Sequence, residues 1–222
     1  MRVFKLKAMV VRFFLLGGFF LALSGCESTY YSAMEKVGVH KRDILVDRVE
    51  EARDAQEDAE EEFQSALERL SALINFDGGK LQRVYEELAG SYEDSEAAAA
   101  NVSDRIVAIE EVSEALFEEW ADEITQYSNA TFRRESEKQL RSTKQRYRSM
   151  LAALRKAESR MDPVLSAMKD NMLYLKHNLN AQAVAALKVE FGQIEKDISV
   201  LIAEMRRAIA SSNEFIDSMQ VT

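Results

Sequence analysis

Apolar residues recur at alternating steps of four and three through most of this 222-residue chain, and no other feature limits its fold as sharply. The first series runs through Leu45, Val49, Ala52, Gln56, Ala59, Phe63, Ala66, Leu70 and Leu73. The second reads Leu81, Tyr85, Leu88, Tyr92, Ser95, Ala99, Val102, Ile106, Ile109, Ser113, Leu116, Trp120, Glu123 and Tyr127, its polar members marking thinner packing. The third reads Leu140, Thr143, Tyr147, Met150, Leu154, Ala157, Met161, Val164 and Met168, then Met172, Leu175 and Leu179 after one extra residue. The fourth runs Val184, Leu187, Phe191, Ile194, Ile198, Leu201, Met205, Ala208, Ser212, Phe215 and Met219. Residues spaced this way share one helix face, and a period near 3.5 kept over several heptads gives left-handed supercoiled packing.

Turn chemistry is scarce, with one Pro and 8 Gly, so a many-stranded sandwich or barrel is excluded and the class is all-α. A short helical stretch around Tyr30 to Val37, closed by Gly38, precedes the long series. Asp77-Gly78-Gly79, Ser128-Asn129 and Asn178 to Asn180 separate the four series. Short connections make neighbours antiparallel, which predicts an elongated four-helix, coiled-coil-like bundle over residues 42–222. Pro163 falls inside the third series, where it either splits the helix or kinks a continuous one. Because Met161 and Val164 stay in step, a kink is expected.

Charge is sorted by helix. Eight acids lie between Glu50 and Glu62 against the single base Arg53, and the second series is also acidic. From Arg133 to Arg160 ten bases meet three acids. A basic helix between acidic ones lets charges pair across the seams and select neighbours, and this internal role is preferred over a landing surface for nucleic acid or anionic lipid.

At the N-terminus, Arg2, Lys5, Lys7 and Arg12 precede eleven apolar or glycine residues, Phe13 to Leu23. That run is too short to span a bilayer and fits the h-region of a secretory signal. Leu23-Ser24-Gly25-Cys26 resembles a bacterial lipobox. The resemblance implies cleavage between Gly25 and Cys26 and acylation of Cys26 on its thiol and its amine, several chains giving a durable anchor. Residues 1–25 are thus expected to be a signal peptide and 26–41 a lipidated N-terminus with a short helical lead-in. Cys26 is the single cysteine, so the chain has no intramolecular disulfide. In such lipoproteins aspartate after the cysteine favours inner-membrane retention, so Glu27 leans towards the outer membrane. Removing residues 1–25 leaves 25 bases against 38 acids, a net charge of −13 that repels nucleic acid and anionic lipid.

Catalytic and metal patterns are missing from the sequence. Di-iron bundles use Glu-x-x-His on two helices, but Val37 precedes His40 by three and Tyr174 precedes His177 by three. There is no zinc-finger cysteine pair, no Gly-x-Ser-x-Gly and no phosphate-binding glycine loop. His40 and His177, at opposite ends of the expected rod, cannot share a metal. No cofactor, metal site or catalytic residue is assigned. Two clusters offer contact patches: His40, Lys41 and Arg42, and Lys176, His177 and Asn178. Structurally, Asp43 suits the cap of the first long helix, Lys176 and His177 the negative pole of a helix C-terminus, and Asn178 or Asn180 the next N-cap.

Met34 to Asp43 (MEKVGVHKRD), Asn75 to Gly79 (NFDGG), Gln126 to Asn129 (QYSN), Met161 to Leu165 (MDPVL) and Leu175 to Ala181 (LKHNLNA) together resemble an uncharacterised proteobacterial family, the domain of unknown function DUF2959. The resemblance spans nearly the whole chain after the signal. It implies a coiled-coil-rich envelope protein and brings no activity, cofactor or catalytic residue. The expected function is a non-enzymatic, lipid-anchored periplasmic scaffold, spacer or adaptor with an envelope protein as partner. The alternative is a helical-bundle carrier of lipid or another envelope ligand, opening at the small residues Ala97 to Ala100. Heptads leave monomer and homo-oligomer undecided.

Overall fold

The computed structural model describes residues 34, 38–76, 78 and 80–220. The expected signal segment 1–25, the cleavage pair Gly25 and Cys26, and the expected helical stretch Tyr30 to Val37 apart from Met34 lie outside them. The chain divides into two compact units, Met1–Ile44 and Leu45–Thr222. Four helices account for the described residues beyond position 40: α1 (Lys41–Ile74), α2 (Leu81–Gln126), α3 (Ala130–Lys176) and α4 (Ala181–Gln220). No strand occurs among the described residues. The class is all-α, and the helix breaks fall where the turn residues placed them.

Local chemistry explains those breaks. At the start of α1 the His40 carbonyl accepts from Asp43 N and Ile44 N, while the Asp43 carboxylate accepts from His40 N at 3.4 Å. Asp43 therefore sits one turn inside the helix and reaches back to the cap residue, the acid half of a capping box, rather than being the cap itself. Gly78, at φ +145, supplies the turn between α1 and α2. Asn129 caps α3, its Oδ1 accepting from Thr131 N at 2.8 Å and Phe132 N at 3.3 Å. Asn180 caps α4 by accepting from Ala183 N, while Asn178 donates to the Tyr174 carbonyl. α3 is continuous through Pro163, whose ring faces solvent between buried Met161 and Val164, so the helix is not split there.

Within the unit Leu45–Thr222 the helices alternate in direction and close a ring of four seams. Glu51 and Arg69 of α1 pair with Arg105 and Glu87 of α2, early against late, as antiparallel neighbours require. Arg155 joins α3 to Glu110 of α2, and Lys156 joins it to Glu204 of α4. Arg206 of α4 returns to Glu60 of α1. Every member of the first series, from Leu45 to Leu73, is buried, as are nearly all members of the fourth. At a rise of about 1.5 Å per residue, α3, with 47 residues, is roughly 70 Å long.

The second series holds only as far as Leu116. Glu123 and Tyr127, expected in the seam, are exposed, and Phe117 and Ile124 are buried instead. The reason is geometric. Beyond the Glu51–Arg105 pair α2 continues for 21 residues, while α1 has ten back to its start at Lys41, leaving α2 about 16 Å longer at this end. α4 likewise ends five residues after Phe215, whose ring meets Tyr147, whereas α3 extends seventeen residues before Tyr147. Past the body, α2 has a single neighbour, so its inward face turns from the bundle axis towards α3. Trp120 marks that turn, its half-buried indole donating to Ser136 Oγ at 2.8 Å.

Candidate contact surfaces

The body is filled mainly by aliphatic side chains, and three aromatic rings meet edge-on at one level. Tyr147 sits edge-on between Phe117 and Phe215, with centroids 5.3 and 6.4 Å away, and the Lys144 ammonium lies over the Phe117 ring. Burial pushes the Tyr147 phenol above its ordinary pKa, against the opposing hydrogen bond with Ser113. The α1–α4 seam holds polar groups without partners. Gln56 is fully buried with both amide atoms unbonded, and Ser212 Oγ is also unpartnered. Both belong to the α1–α4 seam, bracketed by Arg53–Asn213 and Arg206–Glu60.

Carboxylates and bases pair rather than converge on a cleft. Arg155 spans Glu110 and Glu158, and those two acids raise its pKa. Glu204 is almost fully buried, and Lys156 first, then Arg207, hold its carboxyl below the ordinary value. Internal pairing by the basic helix is only partly realised. Arg155 and Lys156 reach across seams, but Lys138 and Arg141 meet Glu135 and Glu137 of their own helix at 3.8 Å. Arg133 donates to the Tyr127 carbonyl, and Arg146 to Ser142 and Thr143.

The sequence-derived patches fall in different units. His40 is exposed and Lys41 and Arg42 half-buried at the start of α1, in the unit Met1–Ile44. Lys176, His177 and Asn178 are exposed at the end of α3. His177 is the C-cap, donating its backbone N–H to the Leu175 carbonyl, so this patch is also a helix terminus. No cluster of three or more His, Cys, Asp or Glu side chains suited to a metal occurs among the described residues.

Two exposed apolar surfaces escaped the sequence reading. At the α3–α4 end, Leu173 and Tyr174 are about half exposed just before Lys176 to Asn178, and Val189, eight residues after the start of α4, is 80 % exposed. A groove of about 520 Å³ runs between Tyr174, Asn171, Leu187 and Glu190. At the opposite end, the α2–α3 hairpin exposes Tyr127 and Phe132. Phe132 was detectable as an apolar residue outside every heptad series, whereas Tyr127 was hidden by being counted in one. A third surface is an open groove of about 660 Å³ between α2 and α3, bordered by Tyr92, Ala99, Ala100, Asp162 and Lys169. Tyr92 donates to Glu96 at 2.9 Å on its edge.

No helix among the described residues is long and apolar enough to cross a membrane. Residues 30–219 match a family described as protein of unknown function (DUF2959). No curated protein matches the chain.

Proposed function

The chain belongs to the DUF2959 family, and from its own residues we propose that it is a non-enzymatic, lipid-anchored protein of the bacterial envelope that acts as a scaffold, spacer or adaptor. The observation that carries this reading is a helical bundle with exposed apolar side chains at both ends, preceded by a lipobox-like Leu23-Ser24-Gly25-Cys26. In this reading Cys26 holds the protein on the periplasmic face of a membrane, the outer one being favoured by Glu27. The α3–α4 end, with Leu173 and Tyr174 just before Lys176 to Asn178 and Val189 on α4, meets a protein partner. The assignment without catalysis rests on the missing nucleophile, metal and phosphate-loop patterns of the sequence.

The test is site-specific photocross-linking in intact cells. A photoreactive side chain at Val189 should trap a defined partner, and one at exposed Glu195, two turns along α4, should trap far less. Free monomer alone from both positions under every growth condition would overturn the adaptor role. The mass of the mature N-terminal peptide tests the anchor separately.

The α2–α3 groove favours a second reading, a carrier of lipid or another envelope ligand, since Ala99 and Ala100 border it within the Ala97 to Ala100 stretch. Native mass spectrometry of protein isolated from the envelope should then show a bound small molecule. An empty chain, with Ala100→Trp neutral for any phenotype, would reject it.

A further inference from the structure

One stretch of the surface joins an apolar floor to charge of a single sign. The groove of about 520 Å³ between α3 and α4 is floored by buried Leu187 and Ile194, and the half-exposed Tyr174 ring stands at one end. Its charged borders are Asp170 on α3 and Glu190 and Asp197 on α4, all exposed, and no base borders it. Lys169 and Lys176 of α3 and Lys188 and Lys196 of α4 belong to other faces of the same helices. Among the described residues none of the three carboxylates enters an ion pair, and Asp197 accepts only from the neutral Gln193 amide, at 2.9 Å. Farther along α4, by contrast, Glu204 is held by both Lys156 and Arg207.

The sign of the charge and the length of the groove together select an occupant. Three carboxylates repel lipid and nucleic-acid phosphates, so the occupant is cationic. A small cation would leave the floor of Leu187 and Ile194 in water. On α4 the lining runs from Ala186 to Asp197, roughly 16 Å or three turns of helix. Ala167 and Ala186 are small enough in the two walls to let a third backbone come close. Glu190 and Asp197 stand seven residues apart on one face of α4, roughly 10 Å, which is the separation of residues i and i+7 on a helix lying alongside.

We propose that the α3–α4 groove receives a basic amphipathic helix of a partner protein. Its apolar side chains rest on Leu187 and Ile194, two Lys or Arg side chains seven residues apart meet Glu190 and Asp197, and Asp170 faces them from the α3 wall. This deepens the adaptor reading above and rests on it. Recognition is of the helix-in-groove kind, in which the apolar floor supplies affinity and the spaced carboxylates set the register.

The experiment uses the full chain and a dye-labelled synthetic helix of about 18 residues, with leucine along one face and arginine at positions seven apart beside it. The control helix carries glutamate in place of arginine. Fluorescence anisotropy at low salt should show binding of the arginine helix alone. Glu190→Lys should weaken that binding about tenfold, whereas Glu195→Lys, the same change of charge on another face of α4, should weaken it less than about twofold. Ala186→Trp, which fills the groove from an exposed position, should weaken it as much as Glu190→Lys. Equal weakening by Glu190→Lys and Glu195→Lys makes the binding a response to net charge and overturns the proposal, as does binding of neither helix. Displacement of the arginine helix by spermine at equal concentration, with Ala186→Trp neutral, makes the groove a site for small polyamines and overturns it too. Each of these failures leaves the adaptor role to the cross-linking at Val189, where a trapped partner keeps that reading and free monomer removes it.

Discussion

The four-helix body and the projecting hairpin share the helices α2 and α3, yet they obey different rules. In the body, the α1 series from Leu45 to Leu73 is buried at every position, and α3 keeps Met150, Leu154, Ala157, Met161, Val164 and Met168 inside. In the hairpin, Ile124 is the one buried residue between positions 121 and 135. A heptad position is a promise of burial that only a neighbouring helix can keep. Where α1 and α4 stop, α2 and α3 retain one neighbour each, and apolar residues off their shared face are left in water.

Mutations should separate the two regions clearly. Phe63→Ala removes a fully buried ring from the α1 seam and should cost about 3–5 kcal/mol, whereas Phe132→Ala at the tip should stay within about 0.5 kcal/mol of the parent. Chemical denaturation of both variants measures the contrast. Equal losses would mean that the hairpin is part of one cooperative core and would break the comparison.

A smaller effect of opposite sign is expected at the polar level of the body. Gln56 has both amide atoms buried and unbonded, a state that costs about 1–3 kcal/mol. Gln56→Leu fills similar volume without the unsatisfied dipole and should raise the denaturation midpoint correspondingly. Register specification is the best-attested use of such a residue, so the stabilised variant should also be checked for a changed oligomeric state by sedimentation.

The hairpin should respond locally. Ser136→Ala keeps the Trp120 indole and removes its hydrogen bond to the hydroxyl, worth about 0.5–1.5 kcal/mol. Amide exchange should quicken from residue 117 to residue 140 while the midpoint of the body hardly moves. Exchange that quickens throughout α3 would show that hairpin and body open together.

Most of the architecture was legible because periodicity and turn chemistry act locally. Asp77 to Gly79, Ser128-Asn129 and Asn178 to Asn180 mark the breaks by side-chain and backbone preferences that need no tertiary context. The shift of register at Glu123 and Tyr127 was not legible, because it depends on where α1 and α4 end relative to α2, a long-range property set by connections elsewhere. The same holds for the basic stripe. Arg155 and Lys156 find Glu110 and Glu204 across seams, while Lys138 and Arg141 meet Glu135 and Glu137 of their own helix. The exposed apolar residues at both ends were missed because exposure is a statement about absent neighbours, which one-dimensional spacing does not carry.

The smallest predicted effect tests the seam charges that distinguish body from hairpin. Glu204 is held by Lys156 at 2.9 Å and by Arg207 at 2.7 Å, and both keep its carboxyl below the ordinary value. A carboxylate whose folded pKa is depressed stabilises the fold fully above the unfolded value and loses that contribution as pH falls through the folded one. Lys156→Met should therefore lower the midpoint slightly at neutral pH, with Arg207 still in place. The difference from the parent should shrink to nothing once acid has protonated Glu204 in both. Lys138→Met, which removes a 3.8 Å contact on an exposed helix face in the hairpin, should show no such pH-dependent difference, because exposed pairs add little at any pH. A Lys138→Met profile as steep as that of Lys156→Met would mean that the hairpin carries seam-like electrostatics of its own.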